Sequence, residues 1–150
     1  MTECIFCKII EGSIPSHKIW EDDQHVAFLT IFPNTPGFTV MASKEHLPSY
    51  FAENTDERLA EFVLAAKKVA HLLDRKLSDV GRTGLIFEGF GVDHLHAKFF
   101  PMHGTNSEGW EQHNSEVAKF FDIYEGYISS HNGPRAEDTE LEELADRIRD

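Results

Sequence analysis

The run His94-Leu95-His96-Ala97-Lys98 sets two imidazoles and an ammonium at alternate positions. Alternate residues of a β-strand share a face, so His94, His96 and Lys98 point one way, while Leu95, Ala97 and Phe99 point the other way, toward a core. Imidazole titrates near neutral pH and serves as a nucleophile, a general acid or base, or a metal ligand. An ammonium suits a phosphate oxygen. The strand therefore fits phosphate chemistry. Two plainer readings stand beside it: a solvated strand face with incidental histidines, or a pair that only binds metal.

A second chemical feature lies near the N-terminus, where the two cysteines of the chain form Cys4-x-x-Cys7. In a reducing compartment such a pair is not a structural disulfide, which leaves metal binding or thiol redox chemistry. With two distant histidines it matches a tetrahedral zinc site of two thiolates and two imidazoles. No thioredoxin-like strand precedes the pair, which counts against redox chemistry.

The elements that must position these groups are legible in outline. Residues 4–10 read as a short apolar helix ending near Gly12. His17 to Glu21, Val26 to Ile31 and Phe38 to Ala42 read as strands of an antiparallel meander, separated by the turn at Asp22-Asp23 and the Pro33, Pro36, Gly37 loop. Residues 56–77 form the clearest helix, with Leu59, Phe62, Val63, Ala66, Val69, Ala70 and Leu73 at helical spacing. Residues 82–88 and 94–100 give two more strands joined by Gly89-Phe90-Gly91. A helix is expected over 115–131, broken by Asn132-Gly133-Pro134, and a weak acidic one over 138–149. The order predicts an α+β fold: an antiparallel sheet of about five strands with one long helix packed on it, plus C-terminal helices. One domain over 1–132 is expected, followed by an acidic helix or tail over 133–150 that is not a domain of its own.

Bulk properties narrow the function. The chain has 150 residues, 41% of them hydrophobic, enough for one core. Its net charge of −12 argues against a nucleic-acid polymer as partner. It leaves room for a small phosphate substrate, because one local donor cluster can hold a phosphate on an acidic protein. Seven acids (Glu137, Asp138, Glu140, Glu142, Glu143, Asp146 and Asp150) crowd the last residues against Arg147 and Arg149, which reads as a solvated segment. No apolar stretch is long enough to span a bilayer, and the acidic start MTECIFCKIIEG does not look like a signal peptide, so a cytoplasmic protein without membrane contact is expected.

At this point the chain resembles the histidine-triad (HIT) family of nucleotide hydrolases and transferases. The resemblance runs over roughly residues 4–104. It is carried by Cys4-Ile5-Phe6-Cys7-Lys8-Ile9-Ile10, Ile14-Pro15, Trp20-Glu21-Asp22, Ala27-Phe28-Leu29, Ile31-Phe32-Pro33, Pro36-Gly37, Ser43-Lys44-Glu45-His46, the histidine strand and Phe100-Pro101. These separate motifs fall in the family's order.

The resemblance implies a nucleotide substrate and covalent catalysis, in which the middle histidine attacks the α-phosphorus and forms a nucleotidyl-histidine that water or another acceptor releases. His96 matches that residue, flanked by His94 and Lys98. Candidate substrates are dinucleoside polyphosphates, phosphoramidates and similar nucleotide conjugates. The resemblance also implies structural zinc on Cys4, Cys7, His46 and His94, and a two-fold homodimer that covers a sheet edge.

Departures from the family pattern are equally specific. Lys98 replaces the third histidine of the triad, and His103 becomes a candidate for the missing acid. Thr30 stands where an acidic residue often holds the ribose hydroxyls, and Phe87 where the preceding strand often carries Asn. The expected nucleoside pocket is lined by Phe6, Ile9, Phe28, Thr30, Ile31 and Phe87, with Ile5 nearby. The departures leave one alternative, a zinc-stabilised nucleotide-binding module with little or no turnover, and the acidic C-terminal segment leaves another, a zinc-stabilised interaction protein that offers that segment to a basic partner.

Overall fold

His17–Glu21 (β1), His25–Leu29 (β2) and Thr39–Ser43 (β3) form the antiparallel meander expected from the sequence. Val80–Ile86 (β4) and His96–His103 (β5) form a hairpin whose second strand pairs with β3, giving a five-stranded antiparallel sheet in the order β1-β2-β3-β5-β4. Helix α1 spans Ile5–Ile10, α2 Asp56–Lys76 and α3 Asp138–Ile148, with a 3₁₀ turn at Phe51–Glu53 ahead of α2. The computed structural model describes residues 3–106, 112, 120–124 and 134–149.

Helix α2 starts where the Thr55 side chain accepts the Arg58 N–H at 3.3 Å, an N-cap bond that satisfies one of the orphan donors of the first turn. Asp56 and Glu57 in the first turn and Arg75 and Lys76 in the last suit the helix dipole. The buried stripe is Phe62, Ala65, Ala66, Val69, Leu72 and Leu73. The expected stripe is thus rotated: Val63 is exposed, and Ala65 and Leu72 take the inner face.

Every residue of β2 and β3 is buried, because both faces of the sheet are covered. On one face Ile19, Ala27, Met41, Ala97 and Phe99 pack against α2 and α3. On the other, Val26, Phe28, Phe38, Val40 and Ala42 pack with Phe6 of α1. The acidic C-terminal segment was expected to be solvated. Instead α3 buries Leu141, Ala145 and Ile148, which recur on one helical face, in the same core as α2. Its carboxylates stay outside, where Asp138 and Glu142 both hold the His17 ring, at 3.1 and 2.9 Å.

The helix expected over 115–131 lies mostly outside the described residues. Its described portion, 120–124, is not helical. Among the described residues, no helix is long and apolar enough to cross a membrane.

Candidate active site and metal centre

The two histidines sit at the entry to β5, each fixed by a backbone carbonyl. A carbonyl can only accept, so each bond sets a tautomer. His94 Nε2 donates to the Ser43 carbonyl at 2.6 Å, which leaves Nδ1 with the lone pair. His96 Nδ1 donates to the His94 carbonyl at 2.7 Å, which leaves Nε2 with the lone pair. Burial lowers both imidazoles below their ordinary pKa, and at His96 the charge of Lys98 adds to the effect. Both rings are therefore held neutral, the form a nucleophile or a ligand needs.

His94 Nδ1 faces the cysteines. It lies 3.4 Å from Cys4 Sγ and 3.6 Å from Cys7 Sγ, and Cys7 Sγ lies 3.4 Å from His46 Nδ1. All four donor atoms fall within 4.8 Å of one another. Tetrahedral zinc, with bonds of about 2.3 Å to sulfur and 2.0–2.1 Å to nitrogen, sets sulfur–nitrogen separations of roughly 3.6 Å. The donor types, their number and their spacing thus fit zinc, and His94 has the carbonyl partner on its far nitrogen that metal-bound histidines usually have. Cys4 is the N-cap of α1 and Cys7 lies one turn on, so the helix itself aims both thiols at one point.

His96 lines a separate cavity of about 300 Å³ on the α1 face of the sheet. Phe6, Ile9, Phe28, Thr30 and Ile31, all expected from the sequence, line it together with Ile5 and Lys98. Phe6 packs edge-on against His96, with ring centroids 5.1 Å apart, and also against Phe28 at 5.9 Å. Ile14, Pro15, Ser16, Phe32, Val40, Phe90 and Val92 also line it and were not anticipated as pocket residues.

Two expected residues lie elsewhere. Phe87 packs on the α2 face against Phe62 and Phe51, at 5.5 and 6.2 Å. Leu85 pairs with Phe99, which faces the core, and Phe87 lies two residues on, so it follows to the core side. His103 ends β5. At about 3.3 Å per residue it lies roughly 23 Å along the strand from His96. Its ring is spent between Asp79 Oδ1 at 3.0 Å and the Pro36 carbonyl at 2.8 Å. It is not the missing acid of this pocket.

Glu88, the acid that holds Lys98, was also missed in the sequence. It accepts from Lys98 Nζ at 2.6 Å and from the Tyr124 hydroxyl. The signal was present in the hairpin register: Ile86 pairs with Lys98, so Glu88 continues on the same face as the histidines.

A model of the HIT domain family matches residues 11–104. An uncharacterized HIT-like protein of Borreliella burgdorferi is 36% identical over 133 residues, covering 82% of this chain and 94% of that one. The adenosine 5′-monophosphoramidase of Schizosaccharomyces pombe is 36% identical over 99 residues, covering 65% of this chain and 73% of that enzyme. Among solved structures, a zinc-bound histidine triad family protein from Mycobacterium smegmatis matches 98% of this chain and 91% of its own at a TM-score of 0.68 and 20% identity, a likeness of fold.

Proposed function

This chain belongs to the HIT domain family, and from that premise we propose that it hydrolyses or transfers nucleotide phosphates through a covalent nucleotidyl-histidine on His96. The observation that carries the reading is the bond from His96 Nδ1 to the His94 carbonyl, 2.7 Å long, which presents an unprotonated Nε2 in the cavity. In the first step Nε2 forms a bond to the α-phosphorus, and the bond from phosphorus to the leaving group breaks. In the second, water or another acceptor takes the nucleotidyl group and His96 is regenerated. Lys98, which lines the same cavity, supplies positive charge to the phosphate oxygens as negative charge builds there.

Dinucleoside polyphosphates, phosphoramidates and similar nucleotide conjugates are the candidate substrates. The phosphoramidase activity named for the fission-yeast relative favours the phosphoramidates. Zinc on Cys4, Cys7, His46 and His94 is structural in this reading: it would fix the chain two residues before the nucleophile. A homodimer would pair the edge strand β4, where Leu85 is exposed, with its two-fold mate.

The test is a substrate panel followed by mass spectrometry of the quenched protein. A nucleotidyl adduct on His96, and loss of turnover in His96→Ala, are expected. Turnover untouched by that substitution refutes the reading. Nucleotide binding without turnover of any panel member assigns the chain to a binding module instead.

A further inference from the structure

His96 and Lys98 are the ionisable side chains among the described residues that line the cavity, and Phe6, Ile9, Phe28, Phe90 and Val92 form much of the remaining wall. Two neutral hydroxyls, those of Ser16 and Thr30, are the other polar side chains along it. Thr30 Oγ1 already accepts the Phe32 N–H at 3.2 Å, which leaves it one proton to donate. Among the described residues, no carboxylate or amide side chain lines the cavity. Glu88, the nearby acid, is 7% exposed and is engaged by Lys98 and Tyr124.

A vicinal diol carries two donors, and a carboxylate can accept both at once. A site built around such an acceptor rejects a ligand without the hydroxyls by roughly 10⁴-fold, because buried polar groups are then left unpaired. Apolar walls and neutral hydroxyls impose no such penalty: each neutral hydrogen bond is worth about tenfold at most.

Accepting His96 as the nucleophile, we infer that this site is indifferent to the sugar hydroxyls. Its substrate class is nucleoside phosphate amides and esters with or without sugar hydroxyls, and 2′-deoxy and 2′,3′-dideoxynucleoside phosphoramidates serve as well as their ribose counterparts. The phosphate is fixed by His96 and Lys98, and the base is held by stacking and apolar burial alone.

The experiment compares kcat/KM for the 5′-phosphoramidates of adenosine, 2′-deoxyadenosine and 2′,3′-dideoxyadenosine on the intact protein. Each hydroxyl removed is expected to change the value by about tenfold at most. A ribose preference larger than that overturns the inference while leaving His96 catalysis standing. If none of the three is turned over, the catalytic reading fails. Calorimetry with the three corresponding 5′-monophosphates then decides the inference by the same tenfold rule, and absence of any binding overturns it. Thr30→Asp should create a ribose preference of tenfold or more. A folded Thr30→Asp protein with an unchanged ratio shows that the sugar lies elsewhere and also counts against the inference. The wild-type series decides the matter whether or not that variant folds.

Discussion

Lys98→Met is the substitution in which the site's chemistry and the protein's stability should come apart most clearly. The Lys98–Glu88 contact is 2.6 Å long, with side-chain exposures of 18% and 7%. Removing one member of a buried pair strands the other charge, at a cost of about 3–5 kcal/mol. Lys98 keeps some solvent, and Glu88 retains the Tyr124 hydroxyl, so the lower end, about 3 kcal/mol, is expected for Lys98→Met. Glu88→Gln keeps an acceptor for the ammonium and should cost about 1–2 kcal/mol. The double variant strands neither charge and should cost only about 1–2 kcal/mol, which makes the coupling energy about 3 kcal/mol in magnitude. With a urea m-value of roughly 2 kcal/mol/M, Lys98→Met should lower the unfolding midpoint by about 1.5 M, and Glu88→Gln in the same chain should return much of that. Activity should behave otherwise. Losing a donor aimed at developing phosphate charge costs about 10²-fold or more in kcat, and neutralising Glu88 does not replace it. Urea titrations of the four proteins at one pH and one zinc concentration, with kcat/KM alongside, test both halves. Additive stabilities would refute the buried-pair argument, and activity recovered in the double variant would refute the role of Lys98.

Three further outcomes are expected. Ile148 is fully buried in α3, so Ile148→Ala should cost about 2–5 kcal/mol in chemical unfolding; a loss below about 0.5 kcal/mol would show that α3 is not part of the core. Gly37 has φ +82, and a Cβ there would meet Leu77 Cδ1 at 2.9 Å, so Gly37→Ala should cost about 1–3 kcal/mol, read as a lower thermal midpoint. At His103 burial opposes the charged form, but the Pro36 carbonyl and the Asp79 carboxylate outweigh it and raise the imidazole above 6.5. Two acceptors facing two ring nitrogens call for the doubly protonated ring. That stability is complete below about pH 6.5 and is lost as pH rises through the raised value. His103→Gln should flatten this part of the stability-versus-pH curve while leaving kcat/KM near the wild-type value. A large loss of kcat/KM would return His103 to the catalytic machinery.

The histidine strand was legible because a period of two needs no knowledge of neighbours: once β5 is a strand, His96 and Lys98 must share a face. Glu88 and Phe87 were not, because their sides depend on the β4–β5 register and on β4 ending at Ile86. The strand was expected to stop at Phe100, and Pro101 cannot donate to a ladder. It continues because the last pair between β3 and β5 is Thr39 with Phe99, so Pro101 has a partner strand on one side only. In α3 the spacing of Leu141, Ala145 and Ile148 was visible, but the surrounding acids masked it. Charge on the outer face of a helix says nothing about the inner one. Thr30 and Lys98 were readable as departures, yet their consequences came only with the cavity wall.

Helix α1 ties the metal centre to the nucleophile more closely than either motif implies alone. Its Cys4 and Cys7 meet His94 Nδ1, the His94 carbonyl holds His96 Nδ1, and Phe6, between the cysteines, packs on both rings at 5.8 and 5.1 Å. Zinc bound by Cys4, Cys7, His46 and His94 would therefore restrain the helix, the carbonyl that sets the His96 tautomer, and one wall of the cavity together. Protein purified without chelator should carry about one zinc per chain, and Cys7→Ser should lose most of it. Because the restraint reaches both tautomer and wall, Cys7→Ser should lower kcat and weaken nucleotide monophosphate binding together. Phe6→Ala removes wall but no ligand atom, so it should weaken binding while metal content and most of kcat survive. The pair of variants separates the two contributions. If Cys7→Ser loses zinc yet keeps both kcat and binding, the metal centre is independent of the active site, and the coupling through α1 is refuted.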